Sequence, residues 1–81
     1  NLQILYAGGP CSIGDAGIRH INLVELNAFN NEKITNVNHM YKLRKLCASW
    51  GCGIGDDGIK DVNIVELDGE YNHKITVWGN N

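Results

Sequence analysis

Residues 11–35, CSIGDAGIRHINLVELNAFNNEKIT, return as residues 52–76, CGIGDDGIKDVNIVELDGEYNHKIT. The two stretches are offset by 41 residues, and 17 of the 40 residue pairs aligned by that offset are identical. A fixed period in this range is typical of proteins built from stacked structural repeats. The sequence therefore predicts a repeat architecture in which residues 1–81 form one small domain.

Each half divides again into two segments that begin with an aliphatic residue. The four segments cover about residues 2–22, 23–42, 43–63 and 64–81. Since side chains alternate along a strand, we expect the residues at 0, +3 and +5 of each segment to point inward from a short strand. The residues at 0, +3, +5 and +11 are Leu2, Leu5, Ala7 and Ile13; Leu23, Leu26, Ala28 and Ile34; Leu43, Leu46, Ala48 and Ile54; and Ile64, Leu67, Gly69 and Ile75.

The pattern L-x-x-L-x-A-x-x-N-x-x-I resembles a leucine-rich repeat. Its I-G-D-x-G-I run resembles the cysteine-containing repeats of F-box-type adaptors, and the alternation of that run with N-E-K-I-T-N-V-N-H-M resembles leucine-rich repeat proteins of giant amoeba-infecting viruses. Pro10 and Gly51 stand where the pattern has Asn, and the last stretch, ITVWGNN, lacks the V-N-H-M-Y continuation. The resemblance implies an α/β solenoid, a right-handed coil of four repeats. Its parallel sheet would lie on the concave side, with loops or short helical turns on the convex side.

Polar residues at fixed places indicate how the chain turns. Asn31 and Asn72 are expected to satisfy backbone groups where the chain leaves the strand. Asp15 and Asp56 lie in Gly-Asp runs and are predicted to cap one- or two-turn helices. The same runs have glycines and aspartates in common with calcium loops. Each holds only one or two carboxylates, which favours capping.

Charge and motif content argue against several functions. The net charge of −2 provides no basic stripe for nucleic acid or an anionic membrane, and no apolar run approaches the roughly 20 residues of a membrane span. His20, His39 and His73 occupy different repeat positions, so no zinc site is predicted. With no Ser/His/Asp order and no phosphate loop, the chain is predicted to be non-enzymatic and to need no cofactor.

The three cysteines bear on the compartment. Cys11 and Cys52 would lie two strands apart, about 9.5 Å at about 4.8 Å per strand. A disulfide requires Cα atoms within about 7 Å. Free thiols fit a reducing, intracellular location and not secretion. The viral resemblance implies the cytoplasm of a host cell or a virion.

Positions +2, +4, +6 and +7 are expected to form columns on and beside the concave sheet. Aromatic residues there would anchor a protein partner, and carboxylates would favour a partner with a basic segment. Alternatively, the rings cover the strand edge and the charges form a cross-strand ladder. The candidate binding residues are Tyr6, Glu25, Phe29, Lys45, Trp50, Glu66, Asp68, Glu70 and Tyr71.

Two hypotheses for function follow. The first is a leucine-rich repeat scaffold that binds a protein on its concave face. The second is a self-assembling repeat protein, because neither end carries the polar capping repeat that solenoids normally have. Both ends are expected to expose core residues and an unpaired strand edge, so the chain would form homo-oligomers or belong to a longer array. The residues concerned are Leu2, Leu5 and Ala7 at one end and Ile64, Leu67 and Ile75 at the other.

Overall fold

Four short strands form one parallel sheet in a computed structural model that describes residues 2–9 and 11–76. The strands are β1 (Ile4–Tyr6), β2 (Glu25–Asn27), β3 (Lys45–Cys47) and β4 (Glu66–Asp68), and their order in the sheet is their order in the chain. This small α/β architecture confirms the predicted parallel sheet. The departures predicted at Pro10 and in the last stretch, from residue 77 onward, lie outside the described residues.

Sheet register follows the leucine positions. Leu5 pairs with Leu26, Leu26 with Leu46 and Leu46 with Leu67, so the +3 residue is the centre of every strand. Leu26 and Leu46 are buried, whereas Leu5 and Leu67, on the two edge strands, are half-buried. The alternation of side chains then points the residues on either side of each leucine outward.

The core forms where the inward positions of the four segments meet. Leu23 and Leu43 are buried as predicted, and Leu2 is 53% exposed, as predicted for the first end of the chain. The prediction that Ala7, Ile64 and Ile75 lie bare at the ends is wrong, since they are 1%, 7% and 7% exposed. The side chains of these residues belong to the same hydrophobic cluster as those of the central segments.

Short helical turns follow the first and third strands, as predicted. Helix α1 spans Asp15–Ile18, and a 3-10 helix spans Asp56–Gly58. The prediction that Asp15 and Asp56 cap these helices is wrong. The N-cap residues are Gly14 and Gly55, which have no side chain with which to cap the helix.

The two aspartates instead connect neighbouring segments. The Asp15 carboxylate accepts hydrogen bonds from the Thr35 backbone N–H, at 2.7 Å, and from the Thr35 hydroxyl. Asp56 accepts the same pair of bonds from Thr76. Because threonine offers two donors from the following segment, each carboxylate bonds there and not to its own helix.

Asn31 makes the predicted contacts with backbone groups. Its side-chain amide donates to the carbonyl oxygens of Ala7, at 2.7 Å, and Ile13, at 3.0 Å, while its Oδ1 accepts the Lys33 N–H. Asn72 makes the equivalent three bonds 41 residues later, to Ala48, Ile54 and Lys74. The turns that leave β2 and β4 are therefore tied to the segments before them.

Candidate functional site: an exposed aromatic row

The chain turns at position +7 of every segment through a residue with positive φ. The four residues are Gly9 (70°), Asn30 (55°), Trp50 (61°) and Tyr71 (62°). Gly and Asn adopt this left-handed conformation readily, whereas bulky side chains do so rarely because Cβ crowds the following carbonyl. The last two segments therefore hold large aromatic residues in a strained backbone conformation.

Hydrogen bonds between segments hold these turns in place. The backbone N–H of Asn30 donates to the Ser49 carbonyl at 3.0 Å, and that of Trp50 donates to the Glu70 carbonyl at 2.8 Å. A strained residue persists where its surroundings over-determine it. The neighbouring segment supplies that restraint for Trp50.

Three exposed rings lie side by side at these turns. The ring centroids of Phe29 and Trp50 are 6.3 Å apart at an interplanar angle of 69°, and those of Trp50 and Tyr71 are 4.6 Å apart at 42°. Their exposed fractions are 41%, 51% and 60%. We call Phe29, Trp50 and Tyr71 the aromatic row. It presents a large apolar surface to solvent.

Carboxylates adjoin one end of the aromatic row. Asp68 is the last residue of β4, and its Oδ1 accepts the Glu70 N–H at 3.2 Å. Glu70 directly precedes Tyr71 and is exposed. Within residues 2–9 and 11–76, neither carboxylate is paired with a basic side chain. The row therefore ends in uncompensated negative charge.

The outward strand face carries mixed charges. Glu25, Lys45 and Glu66 stand on neighbouring strands in register, and the Lys45 Nζ lies 3.6 Å from Glu66 Oε1. Both side chains of that pair are more than half exposed, so the pair contributes about 0–1 kcal/mol to stability. An open depression lies over this face and is lined by the residues of β2, β3 and β4.

The structure divides the nine predicted site residues into two neighbouring groups. Those on the strands are Tyr6, Glu25, Lys45, Glu66 and Asp68, and those after the strands are Phe29, Trp50, Glu70 and Tyr71. Tyr6 is 70% exposed on β1, and in the described part of the chain it makes no ring contact with the aromatic row. The row therefore begins at the second segment.

Sequence reasoning missed the contribution of Asn30 to the site. Its Oδ1 accepts the Gly51 N–H at 3.2 Å, and a Cβ on Gly51 would lie 2.5 Å from that oxygen. A larger residue at position 51 would therefore have to displace the Asn30 side chain from this hydrogen bond. The signal was present in the +7 column, where Gly9 and Asn30 are both residues that favour positive φ.

The three cysteine thiols are not part of the aromatic row. All three are free thiols, and Cys52 is fully buried. Burial raises the pKa of the Cys52 thiol, because the protein interior disfavours the thiolate. The Cys47 Sγ lies 3.3 Å from the hydroxyl of Ser49, which is itself buried.

In the part of the chain that the structure describes, no three His, Cys, Asp or Glu side chains come together as metal ligands. Over the same residues, no helix has the length and apolar character needed to cross a bilayer.

Comparison with protein-family models, curated proteins and solved structures finds no significant match to this chain.

Proposed function

We propose that this chain is a protein-binding module, a four-repeat stretch of leucine-rich repeat solenoid that holds a partner protein on its outward strand face and aromatic row. The observation that carries the proposal concerns Trp50 and Tyr71. Both rings are exposed to solvent, and both residues have a positive φ, which bulky residues rarely adopt.

Recurring hydrogen bonds support the repeat part of the proposal. The Asn31 bonds and the Asp15 bonds both return at the same offset of 41 residues in the second half of the chain. Each of these bonds joins one segment to the next. Contacts only between neighbours are typical of solenoids.

The turn itself does not require an aromatic residue, since Asn or Gly at Trp50 would form it with less strain, as Asn30 and Gly9 do. A non-Gly residue at positive φ costs about 1–3 kcal/mol, and each of the two ring contacts of Trp50 contributes about 0.5–1.5 kcal/mol beyond its burial. Strain and ring packing are therefore of similar size. Binding is favoured because the rings remain 41–60% exposed, which leaves apolar area that a partner would bury.

Selection from a random-peptide display library tests the proposal. Peptides enriched on the wild-type chain should bind Trp50→Ala at least tenfold more weakly, because truncating a buried aromatic anchor typically costs about 2 kcal/mol or more. Tyr41→Ala is the matched control, since Tyr41 is 72% exposed and is not part of the row. Equal binding to all three proteins would refute the proposal. Circular dichroism of both variants is the control that checks whether they fold.

A second candidate function is self-association through β1. This edge strand carries Ile4 and Tyr6, which are 48% and 70% exposed, and Leu2 just before it is 53% exposed; exposed edges are templates for further pairing. Light scattering of the 81-residue chain across a concentration series should then give a mass above the monomer of 8.9 kDa. A constant monomer mass at high concentration would exclude this candidate.

A further inference from the structure

We infer that the aromatic row binds an extended peptide segment that carries arginine at alternate positions. The inference rests on the proposed function and specifies the chemistry of the partner. It combines three observations: the spacing of the rings, the carboxylates at one end of the row, and the exposure of both the rings and the carboxylates.

Charge complementarity indicates a cationic occupant. Asp68 and Glu70 adjoin the row without a basic partner in the described residues, and Glu25 on the strand face is also free of an ion pair there. Lys45 already lies against Glu66. A cation placed over Trp50 or Tyr71 would be attracted both by the ring face and by these carboxylates.

Ring spacing indicates an extended backbone. The Phe29 and Trp50 ring centroids are 6.3 Å apart. Alternate side chains of an extended strand point the same way and repeat at roughly 6.6 Å, twice the rise per residue. Side chains i and i+2 of such a peptide can therefore lie over Phe29 and Trp50.

The shape of the surface favours arginine over lysine. Trp50 and Tyr71 pack against each other at an inclination of 42° with centroids 4.6 Å apart, and each remains more than half exposed, so each leaves aromatic surface open to solvent. A planar guanidinium stacks on such a surface and can also bond a carboxylate with two N–H groups. A lysine ammonium is compact and strongly hydrated, and it offers neither contact.

Fluorescence anisotropy with labelled peptides tests the inference. The probes are an eight-residue peptide of alternating arginine and glycine, the same peptide with lysine, and the same peptide with citrulline, which keeps the planar group but is neutral. We expect the arginine peptide to bind at least fivefold more tightly than the lysine peptide and at least tenfold more tightly than the citrulline peptide. Its affinity should fall as salt rises, because salt screens the carboxylates.

Matched variants separate the row from general surface charge. The double variant Asp68→Asn/Glu70→Gln should lower affinity for the arginine peptide at least fivefold and flatten its salt dependence. Asp57→Asn/Asp61→Asn removes the same amount of charge within and after the 3-10 helix and should leave affinity unchanged. Trp50→Ala should remove most binding while circular dichroism remains that of the wild type.

The outcomes distinguish this inference from the proposed function. Equal affinity for the arginine and lysine peptides, or an unaltered affinity in Asp68→Asn/Glu70→Gln, would overturn the inference. If display instead enriches Trp50-dependent peptides without arginine, or if a neutral oligosaccharide displaces the arginine peptide from the row, the arginine assignment is wrong. Only the loss of all Trp50-dependent peptide binding would overturn the proposed function as well.

Discussion

The indole ring of Trp50 lies against the phenol ring of Tyr71, with centroids 4.6 Å apart, and both residues have positive φ. A hydrogen bond from the Trp50 N–H to the Glu70 carbonyl joins the same two turns. The contact therefore arises from the parallel stacking of two strained turns, and the rings face solvent because the core lies on the other side of the strands.

The first prediction isolates the strain at position 50. Trp50→Gly and Trp50→Ala both remove the ring, but only alanine keeps a Cβ at positive φ. That Cβ costs about 1–2 kcal/mol, and the greater unfolded-state entropy of glycine offsets about half of this. We expect the glycine variant to be roughly 0.5–1 kcal/mol more stable in urea unfolding.

The control for this comparison is an exposed aromatic residue that does not have positive φ. Tyr41 meets both conditions. At that position alanine should be the more stable substitution, since glycine there only loses more conformational entropy. If the glycine and alanine variants had the same order of stability at position 50 as at position 41, the backbone strain at Trp50 would be contradicted.

The second prediction uses two leucines at equivalent places in the two halves. Leu43 is 0% exposed and Leu2 is 53% exposed, so they differ in burial and not in repeat position. Leu43→Ala should destabilise the chain by about 2–5 kcal/mol, as core truncations do, which is enough to unfold so small a domain. Leu2→Ala should cost less than half as much. Equal effects in thermal unfolding would show that the two segments are not packed as described.

The third prediction concerns the buried asparagine that ties neighbouring segments together. Asn31→Ala leaves the buried carbonyl oxygen of Ala7 and the partly buried one of Ile13 without their donor and should cost about 1–3 kcal/mol. Asn31→Asp should be worse, because it places a carboxylate against those oxygens. Asn36→Ala is the control, since Asn36 is exposed and accepts one bond, and it should change stability by less than about 1 kcal/mol. Chemical denaturation of the three variants checks this order.

The fourth prediction is a pH and reactivity test of Cys52. Because burial raises its pKa in the folded state, this thiol should react with iodoacetamide much more slowly than Cys11 and Cys47, which are partly exposed. Mass spectrometry should therefore find two labels under native conditions and three after denaturation. Rapid labelling of all three native thiols would contradict the burial of Cys52.

The sign of the linked pH effect follows from the same shift. A pKa that is higher in the folded chain than in the unfolded chain contributes stability at low pH. That contribution is lost as the pH rises from the ordinary thiol value through the folded value. The stability of wild type relative to Cys52→Ala should therefore decline in alkaline buffer and stay constant below neutrality. A constant difference across the alkaline range would show that Cys52 titrates normally.

The 41-residue period was sufficient to predict the strands and the core, because both depend on which residues share one position. The central leucines of β2 and β3 are buried as that argument requires. The period did not reveal the role of Asp15. Capping is a local preference of aspartate, and it was overridden by a threonine that is 20 residues away in the chain but adjacent in space.

The candidate site was predictable in position and not in conformation. The shared +7 position of Trp50 and Tyr71 is visible in the sequence, and the structure brings their rings together. Their positive φ values depend on the turn that all four segments make, and an aromatic residue by itself suggests the opposite. The residue that indicated this turn was Asn30, together with Gly9 in the first segment.

The most direct test of the central claim, that the rings serve binding and not folding, is to measure the stability and peptide affinity of Trp50→Asn on one preparation. Asparagine tolerates the turn, as Asn30 does, so the free energy of unfolding should be at least that of the wild type. Affinity for a display-selected peptide should fall at least tenfold. A variant that unfolds more easily yet binds the peptide as tightly as the wild type would contradict the claim.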